Sequence, residues 1–171
     1  MLGFRHDHHY DRAREVFQTG NYTEVGISKA IGREDILKMP ASDVPHVLRM
    51  TRETSRLNTL IRLYFLGLPV SVEEARSALA PGPLESWVEA ELLHPPDREG
   101  QVVPRVQFWP VGGLTLAVDL PWRQPKAPPP NFVVPPGGLT LELANAMIHR
   151  PCKRILDLGT GSGMLALLAA P

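Results

Sequence analysis

The chain has 171 residues, which is room for one ordinary domain or for one small domain and part of a second. Lysine plus arginine and aspartate plus glutamate balance at 18 each, so no global field draws the chain to nucleic acid or to an anionic membrane surface, and any such partner needs a local patch. The single cysteine, Cys152, excludes an intramolecular disulfide and suits a reducing compartment. No run approaches the roughly 20 apolar residues of a membrane span, and the polar, His-rich start is unlike a signal-peptide core, so the expectation is a soluble, cytoplasmic protein with no membrane partner.

In chain order, the first 43 residues read as a helical segment with short helices over Asp11 to Thr19 and Ser28 to Leu37, and with Gly20-Asn21 stopping the first. From Val44 to Gly67, the residues Val47, Leu48, Leu57, Leu60, Ile61, Tyr64 and Phe65 recur at spacings of three and four, which predicts helix, broken near Thr54-Ser55. Ser71-Val-Glu-Glu74 is a capping box, and the helix it starts should run to about Leu79. Ala80-Pro-Gly-Pro83 then turns the chain into a second helix over Leu84 to Leu93, with Leu84, Trp87, Val88 and Leu92 on one face. Trp87 is expected in the core. Val102 to Trp109 and Leu114 to Leu120 alternate as strands around Pro110-Val-Gly-Gly113, predicting a hairpin. Helix, turn, helix and hairpin in that order define a winged-helix-like domain over residues 44–120.

Seven prolines between Pro121 and Pro136 favour an extended linker. A further region, 137–171, begins with a helix from Leu139 to His149. It continues with an apolar strand from Lys153 to Leu158 and ends in a helix-forming run from Met164 to Ala170. The strand runs into Ile155-Leu-Asp-Leu-Gly-Thr-Gly-Ser-Gly163, and a strand, a glycine loop and a helix in succession form the nucleotide-binding turn of doubly wound sheets. The spacing separates the ligands. A dinucleotide fingerprint needs glycine where Met164 stands, and a phosphate-binding P-loop needs a lysine after Gly163.

An acidic residue two before G-x-G-x-G resembles the first motif of class I S-adenosylmethionine-dependent methyltransferases, and Asp157, Gly159, Gly161 and Gly163 match it position by position. The resemblance implies that the loop, Thr160 included, passes under the amino-acid end of S-adenosylmethionine, with loop amides and the following helix meeting its carboxylate and Asp157 holding its ammonium. Pro-Gly-Gly-Leu-Thr-Leu at 136 to 141 is similar to the entry of a subgroup that contains the release-factor glutamine and small-domain RNA methyltransferases. There the segment before the first motif folds over the cofactor, which makes Gly138 and Thr140 candidate contacts, although both residues equally suit a helix start. The implied fold is α/β: a helical, winged-helix-like N-terminal part followed by the first βα unit of a Rossmann-like sheet. The implied activity is methyl transfer to a nitrogen on protein or RNA. The acidic end of the second strand and the Asn/Asp-Pro-Pro-Tyr type motif of such enzymes are not found up to Pro171. The expectation is therefore the front part of an enzyme, inactive by itself and without identifiable catalytic residues.

Other features count for less. His6, Asp7, His8 and His9 are too close together to close a tetrahedral metal site, and Cys152 reads as a structural thiol. The second helix of the winged-helix unit carries Glu85, Glu89 and Glu91 and no lysine or arginine, so reading a DNA groove with it is disfavoured. Arg49, Arg52, Arg56 and Arg62 form a stripe that suits either an anionic substrate or water. Two rival readings remain: a non-enzymatic winged-helix binding module, and a nucleotide-dependent oxidoreductase, which the glycine spacing opposes.

Overall fold

The computed structural model describes residues 7–120, 131–148, 150 and 153–170. Their architecture is mixed: helices surround two small antiparallel sheets. Helices α1 (Asp7–Thr19) and α2 (Glu24–Ile31) meet at a tight corner. The corner is close because Gly20 has no side chain: a Cβ there would stand 2.7 Å from Leu60 Cδ1. Helix α2 lies earlier than the predicted Ser28 to Leu37. The Thr23 hydroxyl caps it by accepting from the Gly26 amide at 3.0 Å, and Gly32, at φ 66°, ends it in the left-handed conformation. Gly26, an unpromising helix residue, is required here because a Cβ would sit 2.1 Å from the Asn21 carbonyl oxygen.

The helix break predicted near Thr54-Ser55 is present and spans Thr51 to Ser55. Helix α3 (Val44–Met50) ends at Thr51, whose hydroxyl donates to the Val47 carbonyl at 2.8 Å, and the Ser55 hydroxyl caps α4 (Arg56–Leu60). Helix α4 passes directly into a π-helical turn, Ile61–Phe65, closed by Leu66 N–H donating to Ile61 O at 2.8 Å. Widening the helix by one residue per turn turns Ile61, Leu63, Tyr64 and Phe65 all inward. The buried Gln107 amide donates to the Phe65 carbonyl at 2.8 Å, satisfying a group left over by the irregular turn.

Strand β1 (Val70–Ser71) leads into α5 (Val72–Leu79) through the predicted capping box, with both of its hydrogen bonds formed. Helix α6 (Leu84–Glu89) is shorter than Leu84 to Leu93, because Glu91 adopts φ 58° and turns the chain back. The predicted strand Val102 to Trp109 divides at Pro104, which cannot donate to a ladder. Before it, β2 (Gln101–Val102) pairs with β1; after it, β3 (Val106–Val111) pairs with β4 (Leu114–Asp119). Pro110 and Val111 belong to β3 rather than to the turn, which consists of Gly112 and Gly113 at φ 56° and 79°. Positive φ at both central residues is the two-residue hairpin geometry matched to strand twist.

Most of the predicted linker, residues 121–130, lies outside the described residues. Helices α7 (Gly138–Ala146) and α8 (Met164–Ala169) pack against each other. The predicted strand Lys153 to Leu158 is not formed: among the described residues no strand pairs with it, and Leu156 and Leu158 stand 80% and 83% exposed.

One hydrophobic core runs from Ala13 of α1 to Met164 of α8. Its centre is aromatic. Phe17 lies 5.0 Å from Tyr22, 4.8 Å from Phe108, 6.0 Å from Tyr64 and 6.1 Å from Trp87, centroid to centroid, mostly edge to face. The Tyr22 hydroxyl donates to the Phe108 carbonyl at 2.7 Å, whereas the Tyr64 hydroxyl is buried with no partner. Burial pushes both phenols well above their ordinary range, the Tyr22 charge adding to the effect at Tyr64. At the edge of the core, Arg62 meets Glu74 at 2.7 Å. Burial acts to raise the Glu74 carboxyl, but the Ser71 amide and hydroxyl and the Arg62 guanidinium together outweigh it and hold the group below the usual carboxylate range.

Two measurements test this core. Tyr64→Phe removes an unpartnered buried hydroxyl and is expected to raise unfolding free energy by about 1 kcal/mol in chemical denaturation; a loss of stability would mean that the hydroxyl is satisfied. Because the Glu74 pKa is depressed by folding, its contribution is present above the unfolded value of about 4.3 and disappears as pH falls through the folded one. Stability measured from pH 6 down to about pH 3 should therefore fall less steeply in Glu74→Gln than in the parent chain.

Candidate functional site

The glycine loop connects the unpaired segment 153–158 to α8. Gly159, Gly161 and Gly163 adopt φ 76°, 53° and 78°, so all three alternate glycines occupy the left-handed region that a side chain penalises. Two hydrogen bonds set the loop's shape: the Thr160 hydroxyl donates to the Asp157 carbonyl at 3.1 Å, and Gly163 N–H donates to Thr160 O at 2.8 Å. Space is left above it, because a Cβ at Gly159 would meet nothing within 4 Å. Asp157 is half-buried, and its Oδ2 is shielded from water without a hydrogen-bond partner. A shielded carboxylate oxygen beside an open glycine loop suits a cationic hydrogen-bond donor such as an ammonium.

The loop is held from behind. Met164 is buried in the common core, and Leu168 reaches the hairpin tip, where its Cδ2 lies 2.7 Å from the position a Cβ on Gly112 would take. Gly138 opens α7 after the Gly137 N-cap, and Thr140 sits half-buried in its first turn. The packing of α7 on α8 brings this turn's helix to the helix that follows the loop.

The arginine stripe does not form a single face. Arg49 is exposed and contacts the His46 ring at 3.1 Å, and Arg52 is exposed. Arg56 is turned inward, donating through Nε to Ala78 O at 2.9 Å and through Nη2 to Ala80 O, where it caps the end of α5. Arg62 is committed to Glu74. Trp87 lies in the core, 3% exposed. Of the acidic residues on and after α6, Glu85 pairs with Arg76 at 2.8 Å and Glu91 with Arg105 at 3.8 Å. Cys152, His6 and the side chains of Asp7 and His8 are outside the described residues. Among the described residues no three His, Cys, Asp or Glu are grouped to hold a metal ion, and no helix is long and apolar enough to cross a membrane.

Two concave features were not visible in the sequence. A cavity of about 670 Å³ separates α1 and the α1–α2 corner from one face of the hairpin; Phe17, Tyr22 and Phe108 form its floor, and Tyr10, Arg14 and Glu24 its rim. A second, of about 420 Å³, lies beyond the end of α6 against the other end of the hairpin. The first joins residues 10–25 to residues 108–117, and the second gathers short segments spread from Glu91 to Val133, so no local pattern announces them.

A family model described as Domain of unknown function (DUF7059) matches residues 20–105. The chain belongs to that family. The DUF7059 match takes in α2 to α6 with β1 and β2, and it stops one residue before the hairpin begins, so the glycine loop lies outside it. No curated protein and no solved structure matches the chain.

The division of the arginines within the DUF7059 region is directly measurable. Arg56→Ala should cost about 1–3 kcal/mol of unfolding free energy by uncapping α5, while Arg52→Ala should stay within about 0.5 kcal/mol. Equal costs would contradict the structural role given to Arg56.

Proposed function

We propose that this DUF7059 protein binds S-adenosylmethionine through the loop Asp157 to Gly163 and serves methyl transfer to a nitrogen on protein or RNA. The observation that carries the reading is the loop itself: three alternate glycines all at positive φ, open space above Gly159, and a shielded, unpartnered Asp157 oxygen. Asp157 would take the ammonium of the cofactor's amino-acid end, and Gly159, Thr160 and Gly161 would expose the backbone amides that meet its carboxylate. Gly138 and Thr140, at the start of α7, would flank the same end. When bound, the cofactor supplies the reactive methyl group. The chain's part is to orient the cofactor and exclude water from it.

In this reading residues 153–158 are the first strand of a Rossmann-like sheet. The exposure of Ile155, Leu156 and Leu158 at 48%, 80% and 83% supports it, since a strand buried on both faces carries apolar residues throughout. The winged-helix-like reading of residues 44–120 is supported by the order α4, β1, α5, α6, β2 and hairpin, with β1 paired to β2. That order also favours a second reading, a non-enzymatic binding module built on the DUF7059 region.

The deciding experiment is calorimetric titration of S-adenosylmethionine into protein expressed from its whole open reading frame. The parent chain should bind. Gly161→Val, forced out of the left-handed region, should lose binding, and Asp157→Asn should weaken it about tenfold by removing one charge-assisted hydrogen bond. Absence of binding by the parent chain would transfer the case to the binding module.

A further inference from the structure

The cavity of about 420 Å³ beyond α6 has a size typical of small-molecule sites, and its wall carries an unusual glutamate. Helix α6 ends in a Schellman motif: Glu91 N–H donates to Val88 O and Leu92 N–H to Trp87 O, both at 3.0 Å. The left-handed position of that motif normally belongs to glycine, which makes the same two backbone bonds without strain. Here Glu91 holds it at φ 58°. The backbone gains nothing from the side chain, and the side chain faces the cavity.

Opposite it stands Arg105, tied through its own amide to Leu92 O at 3.0 Å. The two side chains approach only to 3.8 Å and both are exposed, a loose pair that leaves most guanidinium donors available. Asp119 enters from the end of β4, where its Oδ2 accepts from Val133 N–H at 2.8 Å and its amide donates to Val133 O at 3.1 Å. This clip leaves the second carboxylate oxygen for a ligand. Val106, Val118 and Val133 supply an apolar floor between the charged groups, with His94 and Asn131 beside them.

We propose that this cavity binds a small zwitterion, an amino acid or a short ω-amino acid, with its carboxylate on Arg105, its ammonium on Glu91 and Asp119, and its carbon stem on the valine floor. Charge selects the class. A simple anion meets two carboxylates, and a simple cation meets a guanidinium; a molecule carrying both groups at a fixed separation satisfies each. The site is independent of whatever the glycine loop binds.

The test is a titration followed by NMR or calorimetry with glycine, 4-aminobutyrate and 6-aminohexanoate, against butylamine and butyrate as single-charge controls. At least one zwitterion should bind about tenfold or more tightly than either control. Glu91→Gly should raise Tm by about 3 °C through relief of the left-handed strain and still weaken that binding about tenfold, so loss of the fold is not a rival explanation. Arg105→Gln should weaken it similarly. Failure of all three zwitterions to bind, equal binding of a single-charge control, or unchanged binding in Glu91→Gly would each overturn the assignment.

Discussion

The packing of Phe17 against four other aromatic rings is the constraint on which the described fold depends. Its neighbours come from the α1–α2 corner, the π-helical turn, α6 and β3, so a single side chain joins elements spread over some 90 residues. Edge-to-face contacts at 4.8 to 6.1 Å fix ring orientation as well as distance. They require Tyr64 to point inward, which the widened turn at Ile61–Phe65 achieves, and that turn leaves a carbonyl that Gln107 must satisfy. The hairpin position, the irregular helix and the buried glutamine are therefore consequences of one packing problem.

The local chemistry of the fold was legible in the sequence. Ser71 and Glu74 formed the box their spacing predicts, the break between α3 and α4 spans Thr51 to Ser55, and Trp87 is in the core. What escaped was set by long-range contact. Helix α2 begins at Glu24 because Gly26 is pressed against the Asn21 carbonyl, a proximity created by the chain's own corner. Pro104 divides the expected strand because β2 and β3 serve different partners, and strand partners are a property of the whole chain. The arginine stripe had the spacing of a face, but Arg56 found the carbonyls ending α5 and Arg62 found Glu74. Half of the stripe, Arg49 and Arg52, is exposed, and the other half is spent on structure.

The candidate site divides the same way. The glycines at 159, 161 and 163 could be singled out because alternate glycines report backbone requirements directly, and each adopts positive φ. The strand ahead of them could not form from its own residues, since an apolar run supplies one side of a ladder and a neighbour must supply the other. The cavities beside the hairpin were invisible for a related reason: Glu91, Arg105 and Asp119 belong to no common motif and meet only through the turns that end α6 and close β4.

The contact between Leu168 and the bare hairpin tip makes the hairpin a ruler. Helix α8 seats against Gly112, so the length of β3 and β4 fixes how far the glycine loop stands from the hairpin's open end at Val106 and Asp119. Strands preserve their inward and outward faces only when they change by two residues, which shifts the tip by about 7 Å. The spacing between the two regions is thus quantised: intermediate separations are closed to this architecture unless the turn is rebuilt.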